Sequence, residues 1–160
     1  MENVKRYLEA EGLLSSFFSR FNYCIPYCIA PPGRARIPTP ACCRKPYYKE
    51  YDTDHPAFEL LRHQREKRYG RPEDFFYTKR ISPCEYHTLH GCRLKTHKSP
   101  VCLSFMCRES ISFLRESYRI FGYDYLGVYY ALEWILTGTF TEEQFTAFKN
   151  TCIHMLEGLE

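Results

Sequence analysis

No stretch of about 18 consecutive apolar residues occurs in the chain, so the sequence offers no helical membrane span. Met1 to Glu11 is charged and helix-prone, with neither an apolar h-region nor a small-residue cleavage site, so no secretory leader is expected. Catalytic signatures are missing too. There is no nucleophile elbow, P-loop, dinucleotide-binding glycine motif or H-E-x-x-H, and hence no cosubstrate motif on which to base an enzyme. Internal repeats and low-complexity segments are absent. At 160 residues the chain reads as one domain, able to bury a core without disulfides.

What is plentiful is cysteine and aromatic surface. The chain holds nine cysteines, 14 Tyr and 12 Phe; aromatics make up 17% of it, against an ordinary apolar fraction of 44%. Without a secretory signal the expected setting is cytoplasmic and reducing. There a cysteine framework reads as metal-binding or catalytic rather than as disulfides, and an odd total also fits disulfides poorly. The aromatics are read as core packing around a loop-rich centre. Net charge is only +3, but it is polarised. Residues 1–108 carry 19 basic against 11 acidic side chains, or +8, and residues 109–160 carry 3 against 8, or −5. The basic part is the cysteine-bearing part. Its cations either offset thiolates or meet an anionic partner, and the first is favoured.

Apolar periodicity predicts a first helix over 4–21, through Val4, Tyr7, Leu8, Leu14, Phe17, Phe18 and Phe21. From 22 to 51 six prolines exclude regular structure. A second helix is expected over 52–69, capped by Asp52 or Asp54, with Phe58 and Leu61 inward, a basic outer face of Arg62, Arg65, Lys67 and Arg68, and Gly70 as its stop. Pro72 to Thr78 can add a helical turn. Residues 79–97 are expected as loop with a small hairpin turning at Gly91. The C-terminal third predicts helices over 102–121 and 125–137, the latter apolar on all sides and so expected to be buried. A last helix follows, opened by a capping box of Thr141 and Gln144 and lined by Phe145, Phe148, Cys152, Met155 and Leu156.

The cysteines fall in two groups: Cys24-x3-Cys28-x13-Cys42-Cys43, then, after 40 residues, Cys84-x7-Cys92-x9-Cys102-x4-Cys107. Thiolate selects zinc or iron–sulfur centres over magnesium, calcium or manganese. The paired C-x2-C knuckles of a zinc ribbon and the C-x2-C-x2-C run of a bacterial ferredoxin are both absent, so spacing alone does not name the metal. Adjacent Cys42 and Cys43 do not easily share one tetrahedral ion. His87 and His90 flank Cys84 and Cys92 within reach of a local site, but with eight cysteines at hand they are read as supporting or exposed groups. His97 is read as solvated, His154 as structural and Cys152 as a buried free thiol.

This spacing resembles the YkgJ-like family, called zinc- or iron-chelating for its CxxCxxCC motif. Cys42-Cys43 looks like that family's vicinal pair, while Cys84, Gly91-Cys92 and Pro100-x-Cys102 look like its downstream half, including the interval Cys92-x9-Cys102. The resemblance covers about residues 24–107. The upstream motif is stretched here, Ser99-Pro100 stands for the usual Arg-Pro, and Cys107 and the histidines are not part of the pattern. Flagellin lysine methylases carry a similar arrangement.

The expectation is a mainly α, single helical domain over 1–160, with long cysteine-bearing loops and at most a small β-hairpin. Residues 1–21 would be its N-terminal helix, 22–107 the metal-binding cysteine region and 108–160 a C-terminal helical bundle. Cys24, Cys28, Cys42, Cys43, Cys84, Cys92, Cys102 and Cys107 are the candidate ligands of an iron–sulfur cluster or Zn2+, the cluster slightly favoured. The first alternative is a zinc-stabilised nucleic-acid module holding phosphates with Arg62, Arg65, Arg68, Arg71, Lys79 and Arg80. The second is a metal-dependent enzyme resembling the methylases. No protein partner is legible.

Overall fold

Helix α1 (Glu2–Phe21) is the hub of the molecule, and its burial pattern shows why. Val4, Tyr7, Leu14, Phe17 and Phe21 recur along one stripe and are all buried, so the helix presents an apolar face long enough for several partners. In a computed structural model, residues 1–23, 26–27, 46–49, 54–75, 84–88 and 91–160 are described. Helix α1 packs on α2 (Pro56–Tyr69), α3 (Pro100–Ser104), α5 (Tyr125–Thr137) and α6 (Glu142–Glu157), while α5 also touches α2 and α3. Each fully buried Leu or Phe in this stripe contributes about 1.5–3 kcal/mol relative to exposure. Helix α4 (Arg108–Tyr118) closes the end of the bundle, with Leu114 buried and Phe113 against Phe21.

The only strands among the described residues are β1 (His87–Thr88) and β2 (Gly91–Cys92), an antiparallel pair in the register His87↔Cys92 and Thr88↔Gly91. Gly91, at φ 103°, opens the second strand in a conformation that favours glycine. The domain is thus mainly α with one small hairpin, as expected.

Several elements differ from the sequence expectation in informative ways. Helix α2 begins at Pro56 behind His55, whose Nδ1 accepts the Ala57 N–H at 3.1 Å, and not behind Asp54; Asp52 lies outside the described residues. The helical turn expected after Pro72 is a 3-10 turn over Pro72–Asp74. The helix expected over 102–121 is two helices, broken at Phe105-Met106-Cys107. Phe105 is extended (φ −65°, ψ 128°), and the Ser104 carbonyl freed by the break accepts the Tyr123 hydroxyl at 2.6 Å. Helix α5 is not buried all round. It turns Val128, Ala131, Leu132, Ile135 and Leu136 inward and leaves Leu126, Tyr130 and Trp134 exposed, because α1, α2 and α3 cover one side of it only. Gly138 ends α5 at φ 78°, and a Cβ there would stand 2.6 Å from Asn3 Nδ2. The capping box of α6 is present in both its bonds.

Candidate metal centre

A second, smaller core lies beside the bundle: Cys84, Tyr86 and Leu94 are buried in it, with Tyr48, Tyr69, Phe75 and Cys92 packed against them. Local geometry brings its cysteines together. Cys84 starts a turn in which its carbonyl accepts the His87 N–H at 3.1 Å, which feeds the chain into β1. The Arg93 N–H then bonds the Tyr86 carbonyl at 2.7 Å, so Tyr86 and Arg93 form a hydrogen-bonded pair, and His87 and Cys92 form the closer, non-hydrogen-bonded pair beside it. Opposite residues of an antiparallel pair project to the same face, so the His87 ring and the Cys92 sulfur share one side of the ladder. Cys102 arrives from α3, whose N-cap Ser99 accepts the Cys102 N–H at 3.3 Å.

The thiols sense one another. Burial pushes the Cys92 thiol up, and a charge on Cys84 adds to that, against Lys98 and the Leu94 N–H. Burial likewise pushes Cys102 up to about 11; charge on Cys92 and Cys84 raises it further, and Ser99 and Arg65 oppose. Charge on Cys84 or Cys92 therefore resists ionisation of the Cys102 thiol. His87 is fully buried, and neither of its ring nitrogens has a hydrogen-bond partner. Burial lowers its pKa, so the ring is neutral. An unsatisfied buried polar atom costs about 1–3 kcal/mol, so this imidazole is an expensive feature for a ligand-free core.

A clamp of buried polar groups fixes the segment between Cys92 and Cys102. Glu11, on the apolar face of α1, accepts the backbone N–H groups of His97 (2.8 Å) and Lys98 (2.9 Å). Arg65, on the inner face of α2, donates from Nε to the His97 carbonyl, so one peptide unit is gripped from both sides. Tyr7 donates its hydroxyl to the Lys98 carbonyl at 2.7 Å. His97 itself sits at φ 62°. Its Nε2 can only donate to the Gln64 side-chain carbonyl (3.1 Å), which leaves Nδ1 to accept from Thr96 Oγ1 (2.8 Å). The Thr96 oxygen in turn takes the Tyr69 hydroxyl proton at 2.7 Å. The network accommodates a neutral His97, and burial, with Arg68 and Arg65 nearby, lowers its pKa in favour of that form.

The segment Pro46–Lys49 docks on the same site. The Tyr47 carbonyl accepts from Ser99 Oγ at 3.1 Å, Tyr47 stacks on Phe105, and Tyr48 and Lys49 bond the Glu85 carboxylate at 2.6 and 3.2 Å.

Neither a family model, nor a curated protein, nor a solved structure matches this chain. The likeness to the YkgJ-like pattern therefore stands on the cysteine motif alone.

Of the eight candidate ligands, Cys84 and Cys92 share the second core, and Cys102 lies near enough for charge on either to act on its thiol. Cys24, Cys28, Cys42 and Cys43 lie outside the described residues, as does His90. Among the described residues no three His, Cys, Asp or Glu side chains converge as a ready ligand set. Cys107 serves as the N-cap of α4, its sulfur accepting the Ser110 N–H at 3.4 Å. Cys152 is buried on α6, as expected, with its thiol pushed up to about 12 by burial.

Three readings of single residues are corrected. His97 is buried and fully bonded, not solvated, because Glu11 captures its backbone. His87 is not exposed but enclosed without a partner. Arg65 is not on an outer basic face; it is buried in the clamp, 5.9 Å over the Tyr48 ring, and cannot reach a phosphate. Arg62, Arg68 and Arg71 are exposed, and Lys79 and Arg80 lie outside the described residues. Sequence reasoning missed Glu11 and Arg65 as working groups. The available signal was each charge interrupting an apolar stripe: Glu11 between Tyr7 and Leu14, Arg65 after Phe58 and Leu61.

Proposed function

We propose that this is a metal-binding protein of the reducing cytoplasm, in which a cysteine-ligated iron–sulfur or zinc centre fastens the 84–102 segment to the helical bundle. The observation that carries the reading is the sharing of one small core by Cys84 and Cys92, within electrostatic reach of Cys102 and across the ladder from an imidazole without a partner. A cation is the one species that would turn mutually opposed thiolates into a stabilising group, since metal binding and thiol deprotonation are coupled. Cys92, Cys102, Cys107 and Cys152 are not bridged, which supports a reduced setting. The clamp supplies what a rigid site needs: the middle of the Cys92–Cys102 segment, His97–Lys98, is tied to α1 and α2. Cys43 stands three positions before Pro46, a covalent reach of about 11 Å at most, so the vicinal pair is a source of further ligands by connectivity alone.

The test is a cysteine panel on full-length protein purified without oxygen. Cys84→Ala, Cys92→Ala and Cys102→Ala should each lose the metal, and Cys152→Ala should keep it with only a small packing loss. Retention of metal by Cys92→Ala, or its loss from Cys152→Ala, would overturn the assignment.

A further inference from the structure

The histidine across the ladder from Cys92 has no role in the fold that its surroundings explain. His87 is wholly shielded from water, and both its ring nitrogens lack a partner. The contrast with His97 is direct. That residue is also buried, yet both of its nitrogens are bonded, to Thr96 and Gln64. A histidine used only as core packing keeps at least one nitrogen satisfied, because a neutral imidazole carries both a donor and an acceptor. His87 keeps neither, and the register sets it directly across from Cys92, on the same face, at the closer of the two cross-strand spacings.

We infer that His87 is a ligand of the metal centre, binding beside Cys92, so that the site is a mixed imidazole–thiolate one and its metal is Zn2+. The inference rests on the metal-centre reading above and narrows it. A neutral ring nitrogen is a ready zinc donor, and ligation would satisfy one of the two nitrogens outright and fix the proton on the other. Imidazole joined with thiolates in a closed tetrahedral set is zinc chemistry, whereas the common iron–sulfur clusters are held by four thiolates. The hairpin itself suits the task. Thr88 Oγ1 bonds the Gly91 carbonyl at 2.8 Å, and the antiparallel register holds His87 and Cys92 opposite one another.

The experiment uses the full chain, loaded in turn with zinc and with 113Cd as a spectroscopic surrogate. Cadmium resonance position reports the number of sulfur and nitrogen ligands, and coupling from 113Cd to an imidazole 15N identifies a bound histidine. The inference expects one such coupled imidazole, assigned to His87. It expects His87→Gln to release zinc to a chelator at least about tenfold more readily. It also expects His87→Cys to rebind and shift the cadmium resonance to the all-thiolate position. An all-thiolate resonance in the unaltered protein, with no coupled imidazole, overturns the role of His87 and leaves the cysteine centre standing. Protein that takes up neither zinc nor cadmium overturns the centre itself. If His87→Gln does not fold, the 15N–113Cd coupling in the unaltered chain decides alone.

Discussion

Two charges buried on apolar helix faces, Glu11 and Arg65, hold the backbone of residue 97 between them. Removing either leaves buried backbone groups unbonded, a loss of about 1–3 kcal/mol. Arg65→Met should therefore lower the denaturant midpoint strongly, while Arg62→Gln and Arg68→Gln on the exposed face should each stay within about 0.5 kcal/mol. Equal effects of all three would contradict the clamp. His97 makes the same network sensitive to pH. Its folded pKa lies below the ordinary imidazole value of 6.5 because burial disfavours the cation, with Arg68 and Arg65 adding to it. The folded state then binds fewer protons than the unfolded state just below pH 6.5. The stability contributed is complete above that value and is lost as pH falls through the window beneath it. Urea unfolding of the unaltered protein and of His97→Asn, which tolerates the positive φ, should diverge in slope below pH 6.5 and run parallel above it; parallel curves throughout would contradict the derived tautomer. None of this was legible from local composition. A Glu in a charged N-terminal helix and an Arg in a basic run read as solvated until the loop that they bind is in place.

At the level of elements, legibility followed local chemistry. Thr141 with Gln144, Gly70 and Gly138 announce a helix start and two helix stops, and the structure uses all three. The break between α3 and α4 has no proline or glycine to mark it. It exists because Tyr123 takes the freed Ser104 carbonyl and because Cys107 caps the next helix. The exposure of Leu126, Tyr130 and Trp134 was equally hidden, since an all-apolar helix does not say how many sides its neighbours will cover. The cap yields a prediction that separates Cys107 from the other cysteines. Sulfur is a weak acceptor, and Asp is among the best N-cap residues, so Cys107→Asp should stabilise the protein by up to about 1 kcal/mol, or about 2–4 °C in Tm, with metal content unchanged. Loss of metal in this variant would make Cys107 a ligand as well as a cap.

Over the whole molecule, the +8 of residues 1–108 lies in the part that holds the thiols, and the structure removes Arg65 from any surface role. Binding to DNA or RNA at ~150 mM salt should accordingly be absent or no tighter than the ~10⁻⁴ M of any basic surface. Sub-micromolar binding that falls steeply with salt, and less steeply once Arg62 and Arg68 are neutralised, would put the nucleic-acid reading first. The mainly α class was readable from apolar periodicity. The positions of His87 and the clamp depend on contacts between residues tens of positions apart, which no local pattern encodes. The functional reading stands on the proposed metal centre. Full-length protein purified without oxygen and assayed for elements and acid-labile sulfide should contain at least one metal ion per chain, zinc if His87 is a ligand, or iron with matching sulfide if thiolates alone hold a cluster. Chain that carries neither, and yet unfolds at the same temperature with and without added metal, would contradict the account at its centre.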